Sequence, residues 1–121
     1  MTAESDAQDA VRLAARRAGV VLWRNNVGAG KLDNGSFIRW GLANESKQMN
    51  VRIKSGDLIG IEPLLITPAH AGLTIGRFVS AEVKAPGWRY RGTPREVAQQ
   101  AWADLVLSLG GKAIFTTGEW S

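Results

Sequence analysis

Three residues of this 121-residue chain stand out by type and spacing: Asp57, and the pair Glu82 and Lys84 on either side of Val83. Successive side chains of a strand point to opposite faces, so in an extended segment Glu82 and Lys84 share one face while Val83 turns to the other, toward the expected core. Asp57 opens one apolar run and Glu82 stands near the end of another, Thr74 to Lys84. An antiparallel hairpin between the two runs would gather two carboxylates and a lysine at one end of a sheet. Clustered carboxylates repel unless a hard cation lies between them, and oxygen ligation without histidine or thiolate favours Mg²⁺ or Mn²⁺ over zinc. Phosphodiester hydrolysis uses such a set: the cation polarises the phosphate and acidifies bound water, while the lysine orients the nucleophile and offsets developing charge. Taken alone, Glu-x-Lys is a weak signal that a cross-strand pair on a solvated face explains better. The functional reading gains from the surroundings, two apolar strands followed directly by the basic and aromatic run Trp88-Arg89-Tyr90-Arg91.

Composition narrows the alternatives. The chain has no cysteine, which excludes disulfide frameworks, thiolate metal sites and thiol catalysis, and one histidine, His70, which excludes two-histidine metal motifs. Catalysis must therefore lean on carboxylates, lysine or arginine. Fifteen Lys and Arg against eleven Asp and Glu give a formal charge of +4, compatible with a polyanionic partner. The length suits one domain, 1–121, with a single core. Residues 1–9 are acidic and lack an apolar leader, and no apolar run reaches spanning length, so an intracellular, cytoplasmic protein without a membrane partner or small-molecule cofactor is expected.

The elements that must position these residues follow from periodicity and turn signals. Ser5 to Ala18 reads as a helix capped by Ser5 or Asp6, with Ala10, Val11, Ala14, Ala15 and Ala18 at helical spacing before Gly19. Val20 to Trp23 reads as a buried strand, Gly28 to Gly30 as a loop, Ser36 to Gly41 as a second strand, and Leu42 to Ser55 as an irregular connection. Asp57 to Thr67 and Thr74 to Lys84 form the hairpin, with His70 at its tip. Thr93, Pro94 and Glu96 make a capping-box start for a second helix that runs to Gly110-Gly111 and crosses over to a last parallel strand, Lys112 to Thr117.

Two further groups invite a nucleic-acid reading. Arg24, Asn25 and Asn26 either contact phosphates or end a strand, as Asn commonly does. Trp88, Arg89, Tyr90 and Arg91 either stack on bases and hold phosphates or form a connector in which Trp88 covers the core.

With these residues in view, the chain resembles the virus-type replication-repair nuclease (VRR-NUC) family, a branch of the PD-(D/E)XK nucleases, in its stand-alone, phage-like form. The resemblance rests on Trp23-Arg24-Asn25-Asn26-Val27-Gly28, Arg39-Trp40-Gly41-Leu42, Lys54 to Gly60, Glu82-Val83-Lys84, and a helix glutamine ahead of Gly110-Gly111. It implies an α/β fold with a restriction-endonuclease-like core, a central mixed sheet flanked by helices in the order α-β-β-β-β-α-β. It implies Asp57, Glu82 and the backbone carbonyl of Val83 as metal ligands, Lys84 as the catalytic lysine, and Gln99, with Gln100 as competitor, as the helix glutamine. Asp6, or alternatively Glu4, matches an acidic position of the first helix where the family more often has glutamate, and Gly56 stands where the motif has proline. The implied activity is that of a Mg²⁺- or Mn²⁺-dependent DNA endonuclease working as a homodimer on a Holliday junction or other branched DNA. Nicking or flap processing, or a non-catalytic nucleic-acid-binding module on the same fold, are the rival expectations.

Overall fold

The computed structural model describes residues 2–120, a small mixed α/β chain whose contacts divide it into two compact units, Met1–Gly60 and Ile61–Ser121. Among the described residues no helix is long and apolar enough to cross a membrane.

The first unit begins with α1, Ala3–Arg17, whose N-cap is Thr2 rather than Ser5 or Asp6: the Thr2 hydroxyl accepts from the Ser5 N–H at 3.0 Å. Glu4 and Asp6 in its first turn and Arg16 and Arg17 in its last complement the helix dipole. The helix packs on β1, Val21–Arg24. Its half-buried positions are Ser5, Gln8, Arg12 and Ala15, whereas Val11, in the Ala/Val stripe, is 51% exposed. A stripe of alanines buries little area, so it does not by itself decide which face a helix covers.

Gly28–Lys31 is a strand, β2, not a loop, and it pairs antiparallel with β3, Phe37–Trp40, in the register Gly28↔Trp40 to Lys31↔Phe37. Glycine is required opposite Trp40, because a Cβ on Gly28 would run into the indole ring. Asn44, 2% exposed, ties the open end of this hairpin. Its Nδ2 donates to the Gly28 and Trp40 carbonyls at 2.7 and 2.8 Å, and its Oδ1 accepts from Arg39 at 2.9 Å. The stretch expected to be irregular contains a short helix, α2, Lys47–Arg52, capped by the Ser46 hydroxyl.

Leu58–Ile61 forms β4 and pairs with β1. A Cβ on Gly60 would collide with the Val21 carbonyl oxygen, so glycine permits the close approach of these two strands. The expected strand to Thr67 thus stops at Ile61, just before Glu62 and Pro63; proline has no N–H to continue a ladder. Pro68–His70 is a 3-10 turn in which His70 Nδ1 accepts from the Thr67 N–H at 3.0 Å.

In the second unit β5, Val79–Val83, pairs with β6, Lys112–Thr116, parallel and in the register Val79↔Lys112 to Val83↔Thr116. The antiparallel hairpin expected between the runs after Asp57 and before Lys84 is therefore not the pairing found: β4 pairs with β1 and β5 with β6. Among the described residues the strands pair two by two in three sheets, in place of the one central mixed sheet expected. The link between β5 and β6 is α3, Pro94–Ser108, which packs on both strands and contributes the unit's fully buried Val106 together with Ala103. Thr93, Pro94 and Glu96 form the expected capping box. Only one face of the β5–β6 sheet has α3 against it, so Val83 does not enter a core: it is 67% exposed, and Val79 is 47% exposed.

Candidate functional site

The alternation of β5 sets the site. Ser80 and Glu82 are half-buried between the exposed Val79, Ala81 and Val83, and Lys84 follows on the Glu82 side, its N–H donating to the Thr116 carbonyl at 2.8 Å. Packing α3 on this strand brings Gln99 to both residues. Lys84 Nζ donates to Gln99 Oε1 at 2.7 Å, and Gln99 Nε2 donates to Glu82 Oε1. An amide suits this place because it presents an acceptor to the ammonium and a donor to the carboxylate at once, linking the two without itself carrying charge. Gln100, one position on, turns away and donates to Asp104 at 2.9 Å.

Lys84 Nζ also lies 5.6 Å from the Trp88 ring centroid and 6.0 Å from that of Phe115, within the range of cation–π attraction. Trp88 stacks on Phe115 with centroids 5.4 Å apart and planes 14° from parallel, and Tyr90 meets it edge-on. The indole is thus half-buried in the unit's own packing, the connector role weighed for it from the sequence.

Glu96 holds this connector in place. It is 6% exposed, and its carboxylate accepts from Trp88 Nε1 at 2.8 Å, from the Arg91 N–H at 3.0 Å and from the Thr93 N–H at 3.1 Å. The backbone hydrogen bond from Thr93, with those from Arg91 and Trp88, holds its pKa down to about 2, against the opposing effect of desolvation. Sequence reasoning saw Glu96 as a helix cap; its grip on Trp88 and Arg91 depends on the fold of the connector, which no local signal encodes.

Two clefts open on this surface. One, of about 430 Å³, is lined by Ser80, Glu82, Gln99 and Trp102, among others; the second, of about 470 Å³, lies between Lys84, Trp88, Arg89, Arg91 and Thr93. Arg95 lines both and was not singled out in the sequence, although its place four residues before Gln99 puts the two side chains on one helix face.

The remaining expected site residues belong to the first unit. Asp57 is exposed in the bend before β4, and its carbonyl accepts from the Asn25 N–H at 2.9 Å. The Asn25 side chain donates to Ser55 Oγ and the Gly56 carbonyl, each at 2.8 Å, and accepts from the Leu42 N–H at 3.3 Å. It fixes the chain on both sides of the 42–57 segment. Arg24, the last residue of β1, and Asn26 are exposed, as are Asp6 and Glu4 in the first turn of α1.

Among the described residues no group of three or more His, Asp or Glu side chains is arranged to hold a metal ion. Glu82 keeps one carboxylate oxygen without a hydrogen bond from the described residues, and Mg²⁺ commonly takes one or two carboxylates and fills its shell with water and substrate phosphate. Comparison with family models, with curated proteins and with solved structures finds no match to the chain.

Proposed function

We propose that the chain is a Mg²⁺- or Mn²⁺-dependent DNA endonuclease of the PD-(D/E)XK type, similar to VRR-NUC proteins, acting as a homodimer on Holliday junctions or other branched DNA. One observation carries the reading: a half-buried glutamine joins a carboxylate and a lysine, Glu82 lining one cleft and Lys84 the other, basic one. Glu82, with the Val83 carbonyl, would hold the cation, which supplies charge for the scissile phosphate and a more acidic water. The second carboxylate of the reading, Asp57, enters on the sequence alone, and so does Asp6.

Lys84 offsets negative charge developing on the phosphate, and Gln99 keeps its ammonium aimed along the cleft rather than free to sample solvent. Arg89 and Arg91 hold flanking phosphates. One chain carries one such centre, so cutting two strands of a junction takes two chains. The small surface favours recognition of DNA shape over a long base sequence.

The test is cleavage of branched and linear DNA in Mg²⁺ and Mn²⁺ by the wild type, Lys84→Ala, Glu82→Gln and Asp57→Asn. The expected loss is about 10²–10³-fold for Lys84→Ala, in line with removal of one group that stabilises transition-state charge. Equal cutting by all four proteins would refute the assignment. A second reading, a nucleic-acid-binding module without chemistry, is favoured by the exposed arginines of the cleft, which need no metal to hold phosphates. It predicts salt-sensitive binding and no cleavage by any of the four proteins.

A further inference from the structure

We infer that Arg95 is a phosphate-binding residue joining the two clefts, so that a nucleic-acid backbone follows the first turns of α3 from Arg89 and Arg91 to Glu82. The inference rests on the reading above for the identity of the ligand, a nucleic-acid strand. Arg95 is exposed, lines the cleft of Glu82 and Gln99 as well as that of Lys84, Arg89 and Arg91, and has no hydrogen bond or ion pair among the described residues. Some other polar groups of the unit are already engaged. Arg77 of the same unit spends its guanidinium on the Gly110 and Gly111 carbonyls at 3.4 and 3.2 Å. Glu96, the adjacent carboxylate, is filled by Trp88, Arg91 and Thr93 and does not pair with Arg95. An unpaired guanidinium offers a planar fork of donors that matches two phosphate oxygens.

The tryptophan of the Lys84 cleft points the same way. Trp88 has one face on Phe115, with Lys84 and Tyr90 against it, so it is engaged in packing rather than presented to a base. What that cleft offers a nucleic acid is therefore charge. Binding through phosphates is largely indifferent to sequence and strongly dependent on salt.

Fluorescence anisotropy on a short labelled duplex, in metal-free buffer across a range of salt, tests this for the wild type, Arg95→Gln, Arg95→Lys and Arg52→Gln. Arg52, exposed at the end of α2, supplies the same change of charge outside both clefts. Arg95→Gln should weaken binding about tenfold at moderate salt and flatten the slope of log K against log[salt] by about 0.9, the release of one counterion. Arg95→Lys should keep the slope, and Arg52→Gln should keep both slope and affinity. Thermal midpoints of all four proteins establish that each is folded. A slope for Arg95→Gln equal to that of the wild type, or a loss matched by Arg52→Gln, overturns the inference. The outcome is separable from the nuclease reading: a wild type that binds but does not cut would remove the chemistry and leave Arg95 in place, whereas cleavage abolished by Lys84→Ala with unchanged Arg95→Gln binding would do the reverse.

Discussion

The Lys84–Gln99–Glu82 relay makes a prediction whose size follows from its geometry. Replacing Gln99 by Leu keeps side-chain volume nearly constant and removes both polar contacts: the 2.7 Å bond from Lys84 and the bond to Glu82. Hydrogen bonds to charged groups contribute about 1.5–3 kcal/mol when buried. Here all three side chains are half-buried, so solvent competes and the appropriate figure is about 1 kcal/mol each. Gln99→Leu should therefore destabilise the chain by about 2 kcal/mol, or roughly 8 °C in Tm for a chain of this length. The sharper quantity is the coupling to Lys84. Lys84→Met loses the same 2.7 Å bond together with the contacts to Trp88 and Phe115, so the double variant should be about 1 kcal/mol more stable than the sum of the single changes implies. Urea unfolding of the four proteins measures this directly. Additivity within about 0.3 kcal/mol would mean that Gln99 does not hold Lys84, and the idea of an aimed lysine would fall with it.

Two further predictions concern the groups around the site. The Glu96 pKa lies below its ordinary value of 4.5, at about 2, so the stability it contributes is present above the ordinary value and lost as the pH falls toward 2; the Tm of the wild type should drop across this window more steeply than that of Glu96→Gln, and parallel curves would refute the role. Asn44→Ala leaves the Gly28 and Trp40 carbonyls without their donor at a buried position and should cost about 2–4 kcal/mol, read as a lowered urea midpoint with an unchanged slope.

What the sequence disclosed is what acts over a few residues. Thr93, Pro94 and Glu96 announce α3 because a capping box closes within one turn, and the crossover to a parallel β6 follows from a helix between two short apolar runs. Pairing was not legible. The strand after Asp57 has Val21–Arg24 as its partner, a choice made by packing over a long stretch of chain and permitted by Gly60, which lets the two backbones approach. Gly28 and Gly30 look like a loop because glycine is a poor strand former, yet Gly28 is the residue that fits under Trp40. The six-residue α2 has too few turns to show a period, and only its Ser46 cap marks it. The exposure of Val83 depends on how many layers cover the sheet, a matter for the whole fold. Around the site, Gln99 was an expectation of the resemblance alone, and what the fold shows is an amide with one partner of each charge, Lys84 and Glu82.

The parallel pairing of β5 with β6 across α3 has an entropic side. The two hydrogen bonds of the relay join residues only fifteen and seventeen positions apart, and every element that frames them falls between Val79 and Thr116. Closing loops of this size loses little chain entropy, and each doubling of length adds only about 0.6 kcal/mol. Glu82, Lys84 and Gln99 therefore need only one strand–helix–strand segment, Val79 to Thr116, to bring them together.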